Sequence, residues 1–189
     1  KQKKYAISGR HEALNLCACI SILRLIGIDI IDILIAFEKR KLLPHRLENI
    51  STFNDITFIN DSKSTNVSST YNALESFVDN IILIMGGDNK KISYKSLNTI
   101  IKQKVKLLVL IGDNRNYLSN QISVNVKKLL FENLKDATTY IFSEMDSGDT
   151  ILFSPGSSSF YMYNNYEDRG NHFRKLINDY VSTKDKTDF

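Results

Sequence analysis

The chain has 189 residues, 42% of them hydrophobic and 24% charged, which suits one good-sized globular domain plus a piece of a second. Twenty-five Lys and Arg stand against 21 Asp and Glu, a net +4 spread along the sequence; so thin a surplus argues against a nucleic-acid partner and favours small anions. Apolar runs such as 81–85 and 107–111 fall far short of the roughly 20 residues a membrane-spanning helix requires, so no membrane is expected.

The chain opens on Lys1-Gln2-Lys3-Lys4 with no initiator Met and no h-region behind it, so a piece of a longer protein without a secretory signal is expected. Residues 11–26 predict a helix stopped by Gly27, and 29–41 a second one, with Asp29 and Asp32 at its start and Lys39, Arg40 and Lys41 at its end, matching the helix dipole. Cys17 and Cys19 lie two apart in the first helix, a spacing that points them in different directions. They read as packing thiols of a reducing cytoplasm rather than a disulfide or metal pair. Two helices alone make a poor domain, so 1–43 reads as the tail of a domain whose body lies elsewhere, ending just before Pro44.

From there short apolar runs alternate with helical ones. Strands are predicted at 56–59, 81–85, 105–111 and 150–153, and helices at 67–78, 93–103, near 134–146, and at 167–181. In the last, Phe173, Leu176, Ile177, Tyr180 and Val181 keep the spacing of a core-facing stripe. Strands without polar alternation, separated by helices, predict an α/β domain over 44–182: a mainly parallel, Rossmann-like sheet covered on both faces. The polar segment 183–189 reads as a frayed tail.

Each predicted strand runs into small or polar residues. They are Asn60-Asp61-Ser62-Lys63-Ser64-Thr65-Asn66, Gly86-Gly87-Asp88-Asn89-Lys90, Gly112-Asp113-Asn114 and Ser154-Pro155-Gly156-Ser157-Ser158-Ser159. In an open parallel sheet these segments share the carboxyl edge, where ligands bind. Glycines permit close backbone approach, helix N-termini offer free N–H groups, and Lys63, Lys90 and Arg46 add positive charge. Each loop alone is ordinary turn chemistry: Ser64 or Thr65 would cap the next helix, and Gly-Gly-Asp suits a turn. Their recurrence at successive strand ends is what points to a site for carboxylates and phosphates.

At these residues the sequence resembles the Mur ligases, and among them the D-glutamate-adding branch. Asn60-Asp61-Ser62-Lys63-Ser64-Thr65-Asn66 is similar to that branch's Asn-Asp-Ser-Lys-Ala-Thr-Asn. Further segments fall in order: Gly9…His11…Asn15, Pro44-His45-Arg46-x-Glu48, Gly86-Gly87-Asp88-x-Lys90, and Ser154-Pro155 through Phe160 with Tyr166-Glu167-Asp168-Arg169-Gly170. The resemblance covers 8–180. It implies an enzyme of three domains, of which 44–182 corresponds to the last and 1–43 to the end of the central, ATP-binding one. Leu42 to His45 would be the hinge, with Pro44 stiffening one side. No G-x-x-x-x-G-K-[ST] occurs here, so the ATP phosphate loop, the UDP site and the central-domain Lys and acidic residues that hold Mg2+ would lie in the other domains. This chain alone is expected to be inactive.

The resemblance implies phosphorylation by ATP of the L-alanine carboxylate of UDP-N-acetylmuramoyl-L-alanine, then attack of D-glutamate on the acyl phosphate, in a cytoplasmic, monomeric enzyme. By the same resemblance Thr65, Lys90, Ser159 and the Phe160 backbone would hold the carboxylates of D-glutamate, with Tyr166 beside its side chain. Lys63 would lie at the phosphates or acyl centre. Arg46 and Asp61 would reach ATP, Asp61 accepting from ribose hydroxyls, while His11, Asn15 and His45 would line the adenine side. Arg46 pairing with Glu48 is the structural alternative. Glu167, Asp168 and Arg169 read as fixing a loop to the last helix, and His172 as an exposed helix residue. The sequence departs from the branch at Glu12, Asn89, Ser157 and Tyr161. Two other readings are a non-catalytic Rossmann-like nucleotide-binding module, which predicts a G-x-G-x-x-G after the first strand where Asn60-Asp61-Ser62 stands, and a Mur- or folylpolyglutamate-type ligase for another amino acid.

Overall fold

The computed structural model describes residues 9–39, 43–88 and 91–185, with side chains from residue 13. The chain divides into two compact units, Lys1–Pro44 and His45–Phe189.

In the first unit, α1 (Gly9–Leu25) and α2 (Ile30–Glu38) form a helical pair. Gly27, at φ 87°, makes the turn between them, and the Asp29 carboxylate caps α2 by accepting from Ile31 N–H at 2.7 Å. Leu16 and Ile33 are buried, whereas Leu14, Ile22, Leu25, Ile26 and Ile31 are mostly exposed. Cys17 and Cys19 are exposed free thiols. The packing role expected for them is therefore not seen, because a lone helix pair has one contact seam and neither thiol lies on it.

The second unit is a six-stranded sheet in the order β1-β2-β6-β3-β4-β5. Its elements are β1 (Glu48–Phe53), β2 (Ile56–Asn60), α3 (Val67–Glu75), β3 (Ile81–Gly87), α4 (Asn98–Lys104), β4 (Val105–Gly112), α5 (Arg115–Gln121), β5 (Lys127–Phe131), α6 (Leu134–Glu144), β6 (Thr150–Phe153) and α7 (Tyr166–Lys184). All neighbours pair parallel except β1 with β2. The α/β class expected from the sequence is what the chain adopts. β1, α5 and β5 are additional to the predicted elements, and α7 runs to Lys184, into the expected tail. β1 joins β2 through Asn54 and Asp55, both at positive φ (49° and 63°), as a two-residue type I′ hairpin turn requires.

Strand β3 shows how the core is divided. Ile81, Leu83 and Met85 face one layer with Leu74, Tyr94, Ile101 and Leu110. Ile82 and Ile84 face the other, with Phe58, Val109, Ile141, Phe153, Phe173 and Ile177. A strand buried on both sides reads as a continuous apolar run, and period-2 alternation sorts it between the helical layers. Since β6 lies between β2 and β3, the loops leaving all three meet at one edge.

Candidate functional site

Backbone hydrogen bonds stitch these loops together. Gly156 N–H donates to Ser64 O at 2.9 Å, Gly86 N–H to Pro155 O at 2.9 Å, and Asp88 N–H to Ser158 O at 3.1 Å. Gly87 allows this approach: at φ 148° a Cβ there would lie 2.2 Å from Ser158 O. Arg169, fully buried in the first turns of α7, spans the gap between the β2 and β6 loops. Its guanidinium donates to Ser62 Oγ (3.1 Å), Ser62 O (2.9 Å), Ser157 O (2.9 Å) and Ser158 O (3.0 Å). Burial lowers its pKa to about 10, so it stays charged at neutral pH. The loop-fixing role expected for Arg169 matches this geometry.

Thr65 and Ser159 stand on the two lips of this edge. Asn66 caps α3, its side chain accepting from Ser69 N–H at 2.9 Å. Thr65 is therefore not needed as the cap, and its hydroxyl has no partner among the described residues. Ser159 is 4% exposed, and its hydroxyl likewise has no partner among the described residues, although its carbonyl accepts from Met162 and Tyr163 N–H. Lys63 Nζ sits 3.7 Å from the Tyr166 ring centroid, a cation–π contact that orients the ammonium at the same edge. Ser62 Oγ donates to Tyr166 O at 2.8 Å, fixing the start of α7. Arg46 is exposed. Glu48 instead pairs with Arg174 at 2.7 Å, so the alternative Arg46–Glu48 ion pair is not formed. Beside Ser159, Phe160, Met162, Tyr163, Asn164 and Asp168 line an open depression of about 420 Å³. Lys90 and Asn89, and the side chains of His11 and Glu12, lie outside the described residues. Asn15 is exposed on α1.

Four residues singled out from the sequence are engaged by the chain itself. His45, expected at the adenine side, is 5% exposed. Its Nδ1 takes an N–H of Asn60 at 2.9 Å, and the same Asn60 amide donates to Gly170 O at 3.1 Å. Burial, then the charge of Arg174, lowers the His45 pKa. Asp61, expected to accept from ribose, is also 5% exposed. Its oxygens accept from Ser64 Oγ, from Ser154 Oγ at 2.7 Å and from Leu47 N–H at 3.3 Å. Three of about four acceptor positions thus serve the chain itself. Burial pushes its pKa up to about 6. The Phe160 N–H, expected to hold a substrate carboxylate, donates to Asp88 Oδ2 at 3.2 Å. His172 is only half-buried, not free in solvent: its Nδ1 pairs with Tyr163 Oη at 2.8 Å.

Sequence reasoning missed a buried network behind the site. Tyr94 Oη meets Ser157 Oγ at 2.7 Å, and Asn114 donates to that oxygen at 2.8 Å. Asn114 Oδ1 accepts from Gly87 N–H at 3.0 Å. The only sequence signal was that Asn114 and Ser157 lie in the small, polar segments that follow β4 and β6.

The architecture and edge define an α/β domain whose convergent loops bring to one sheet edge a lysine and two hydroxyls without a partner among the described residues. Among the described residues no group of three or more His, Cys, Asp or Glu is arranged to hold a metal ion, and no helix is long and apolar enough to cross a membrane. The profile of the family described as "Mur ligase, glutamate ligase domain" matches residues 45–156, and the chain belongs to that family. Among similar proteins is the UDP-N-acetylmuramoylalanine--D-glutamate ligase of Cytophaga hutchinsonii, 34% identical over 93% of this chain and 39% of the relative. The protein of the same name from Prochlorococcus marinus is 37% identical over 95% and 39%. The chain thus spans 39% of the length of these relatives. Solved structures with the same fold include a pseudomurein peptide ligase type C from Methanothermus fervidus (TM-score 0.70, 16% identity, 92% of this chain and 36% of that one). MurF from Acinetobacter baumannii follows at TM-score 0.66 and 19% identity, covering 93% and 39%.

Proposed function

We propose that this chain is the C-terminal portion of a cytoplasmic, monomeric, ATP-dependent amide ligase that adds D-glutamate to UDP-N-acetylmuramoyl-L-alanine in peptidoglycan synthesis. The observation that carries the reading is the pair of hydroxyls, Thr65 and Ser159, without partners among the described residues on adjoining loops of one sheet edge, with Lys63 held against Tyr166 at that edge. A dicarboxylate requires several donors and a fixed positive charge. Lys90, in the loop after β3, would supply the second cation. The names of relatives at 34% and 37% identity favour D-glutamate as the amino acid.

A free carboxylate is a poor electrophile, so ATP would first convert it to an acyl phosphate. The amine of D-glutamate would then form the C–N bond, lose a proton, and phosphate would leave. Both steps gather negative charge on oxygen, which positioned cations stabilise. Lys63 and the exposed Arg46 would face the phosphates. In this reading Asp61 and His45 shape the loop instead of touching ATP. Mg2+ would be held mainly by the Lys and acidic residues of the central domain. The exposed Leu14, Ile22, Leu25 and Ile31 of the first unit suit burial against the remaining central domain, with 1–43 as its tail, His11 and Asn15 toward adenine, and the segment ending at His45 as the hinge. Closure would bring amine and acyl phosphate together and exclude water. The chain alone would bind D-glutamate but not turn over.

In the ligase that carries this chain, Lys90→Ala is expected to raise the D-glutamate KM at least about tenfold, roughly 1.4 kcal/mol. Assays with D-glutamate, L-lysine and meso-diaminopimelate are expected to give turnover with D-glutamate alone. Use of another amino acid in its place would overturn the assignment.

A further inference from the structure

The carboxylate of Asp88, at the end of β3, is held by three donors of the loop after β6. Ser158 Oγ donates to Oδ2 at 2.7 Å, Phe160 N–H to Oδ2 at 3.2 Å, and Tyr161 N–H to Oδ1. The Asp88 N–H donates back to Ser158 O at 3.1 Å, which also accepts from Arg169 at 3.0 Å. The residues on both sides of Ser159 are therefore tied down, and its carbonyl is held by Met162 and Tyr163 N–H. Only its hydroxyl, buried at the centre of this clasp, has no partner among the described residues. Two successive N–H groups closing on one carboxylate form the sort of concave nest that backbone donors make for anions. An internal carboxylate fills it, so the nest itself is closed to a ligand while the neighbouring hydroxyl stays open.

We infer that Asp88 is a positioning residue of the amino-acid site: its carboxylate sets the 158–161 turn so that the Ser159 hydroxyl faces substrate, without touching substrate itself. This rests on the reading of Ser159 as a donor to the D-glutamate carboxylate. Removing the clasp leaves the hydroxyl in place chemically but lets it wander. The cost then falls on D-glutamate affinity and not on the phosphoryl-transfer groups across the edge.

The test is steady-state kinetics of the ligase that carries this chain, comparing Asp88→Ala, Asp88→Asn, Ser158→Ala and Ser159→Ala. Asp88→Ala is expected to raise the D-glutamate KM about tenfold or more, with KM for ATP and the UDP-linked substrate within about twofold. Asp88→Asn keeps the shape and one acceptor oxygen, so it is expected to recover part of the loss. If the Asp88 variants fail to fold, Ser158→Ala removes one clasp donor without touching the carboxylate and is expected to shift the same KM in the same direction. Ser159→Ala separates the two ideas. If it leaves the D-glutamate KM unchanged, the donor reading fails, and this inference with it. If it raises that KM while the folded Asp88 and Ser158 variants stay within about twofold of the parent, the inference alone fails.

Discussion

Asp61 illustrates how a residue's neighbours reset its chemistry. Burial raises its pKa from 3.8 to about 6 despite the hydroxyls of Ser64 and Ser154. The folded state therefore holds this proton more tightly than the unfolded chain. Its stabilising effect is complete below pH 3.8 and disappears as pH rises through about 6, a change on the order of 3 kcal/mol for a shift near two units. His45 works in the opposite sense. Burial, and then Arg174, lowers its pKa from 6.5, so its contribution is complete above 6.5 and is lost as pH falls toward the folded value. Asp61→Asn preserves hydrogen bonding, because Oδ1 still takes Leu47 N–H and the amide donates to the two hydroxyls. It is expected to remove the decline in stability between pH 4 and 6, leaving the His45 slope. Urea denaturation across that range reads this directly, and identical slopes in parent and variant would refute it.

At the level of elements, α7 docks through a glycine. Gly170 packs so close to His45 that a Cβ there would lie 2.2 Å from Nδ1. Alanine gains about 1 kcal/mol of helix propensity, but overpacking a buried contact costs about 1–3 kcal/mol and here also pushes the ring off Asn60. Gly170→Ala is therefore expected to lower stability by up to about 2 kcal/mol net, measured by denaturant midpoint. In a His45→Ala background the penalty is expected to vanish. The central strands were legible because 81–85 and 105–111 are unbroken apolar runs, and α7 because its stripe is regular. β1 and β5 were not: both are edge strands with half-exposed patterns, and Asn54-Asp55 lacks the glycine that marks most two-residue hairpins. Thr65 and Ser159 were legible as loop residues at strand ends. The inward turn of His45, Asp61 and the Phe160 amide was not, since their partners Asn60, Ser154 and Asp88 are set by tertiary packing and not by local spacing.

Across the molecule, both halves of the sheet's core are drawn, among the described residues, from 47–181. The segment 45–189 alone is expected to unfold in one cooperative transition with a midpoint within about 5 °C of the 189-residue chain, a difference of about 1 kcal/mol or less. A larger drop would mean that the helical pair supports the sheet. The order of strands carries a further consequence for synthesis. β2 and β3 have no direct pairing in this sheet; they are joined through β6, the final strand in sequence. A nascent chain can thus build the β1–β2 hairpin and the β3-β4-β5 ribbon, but these stay separate and present bare edges to aggregation until Thr150–Phe153 leaves the ribosome. Premature termination before that point yields two half-sheets with an empty slot between them, and the edge that carries Thr65 and Ser159 is closed only once β6 and the loop after it have been made.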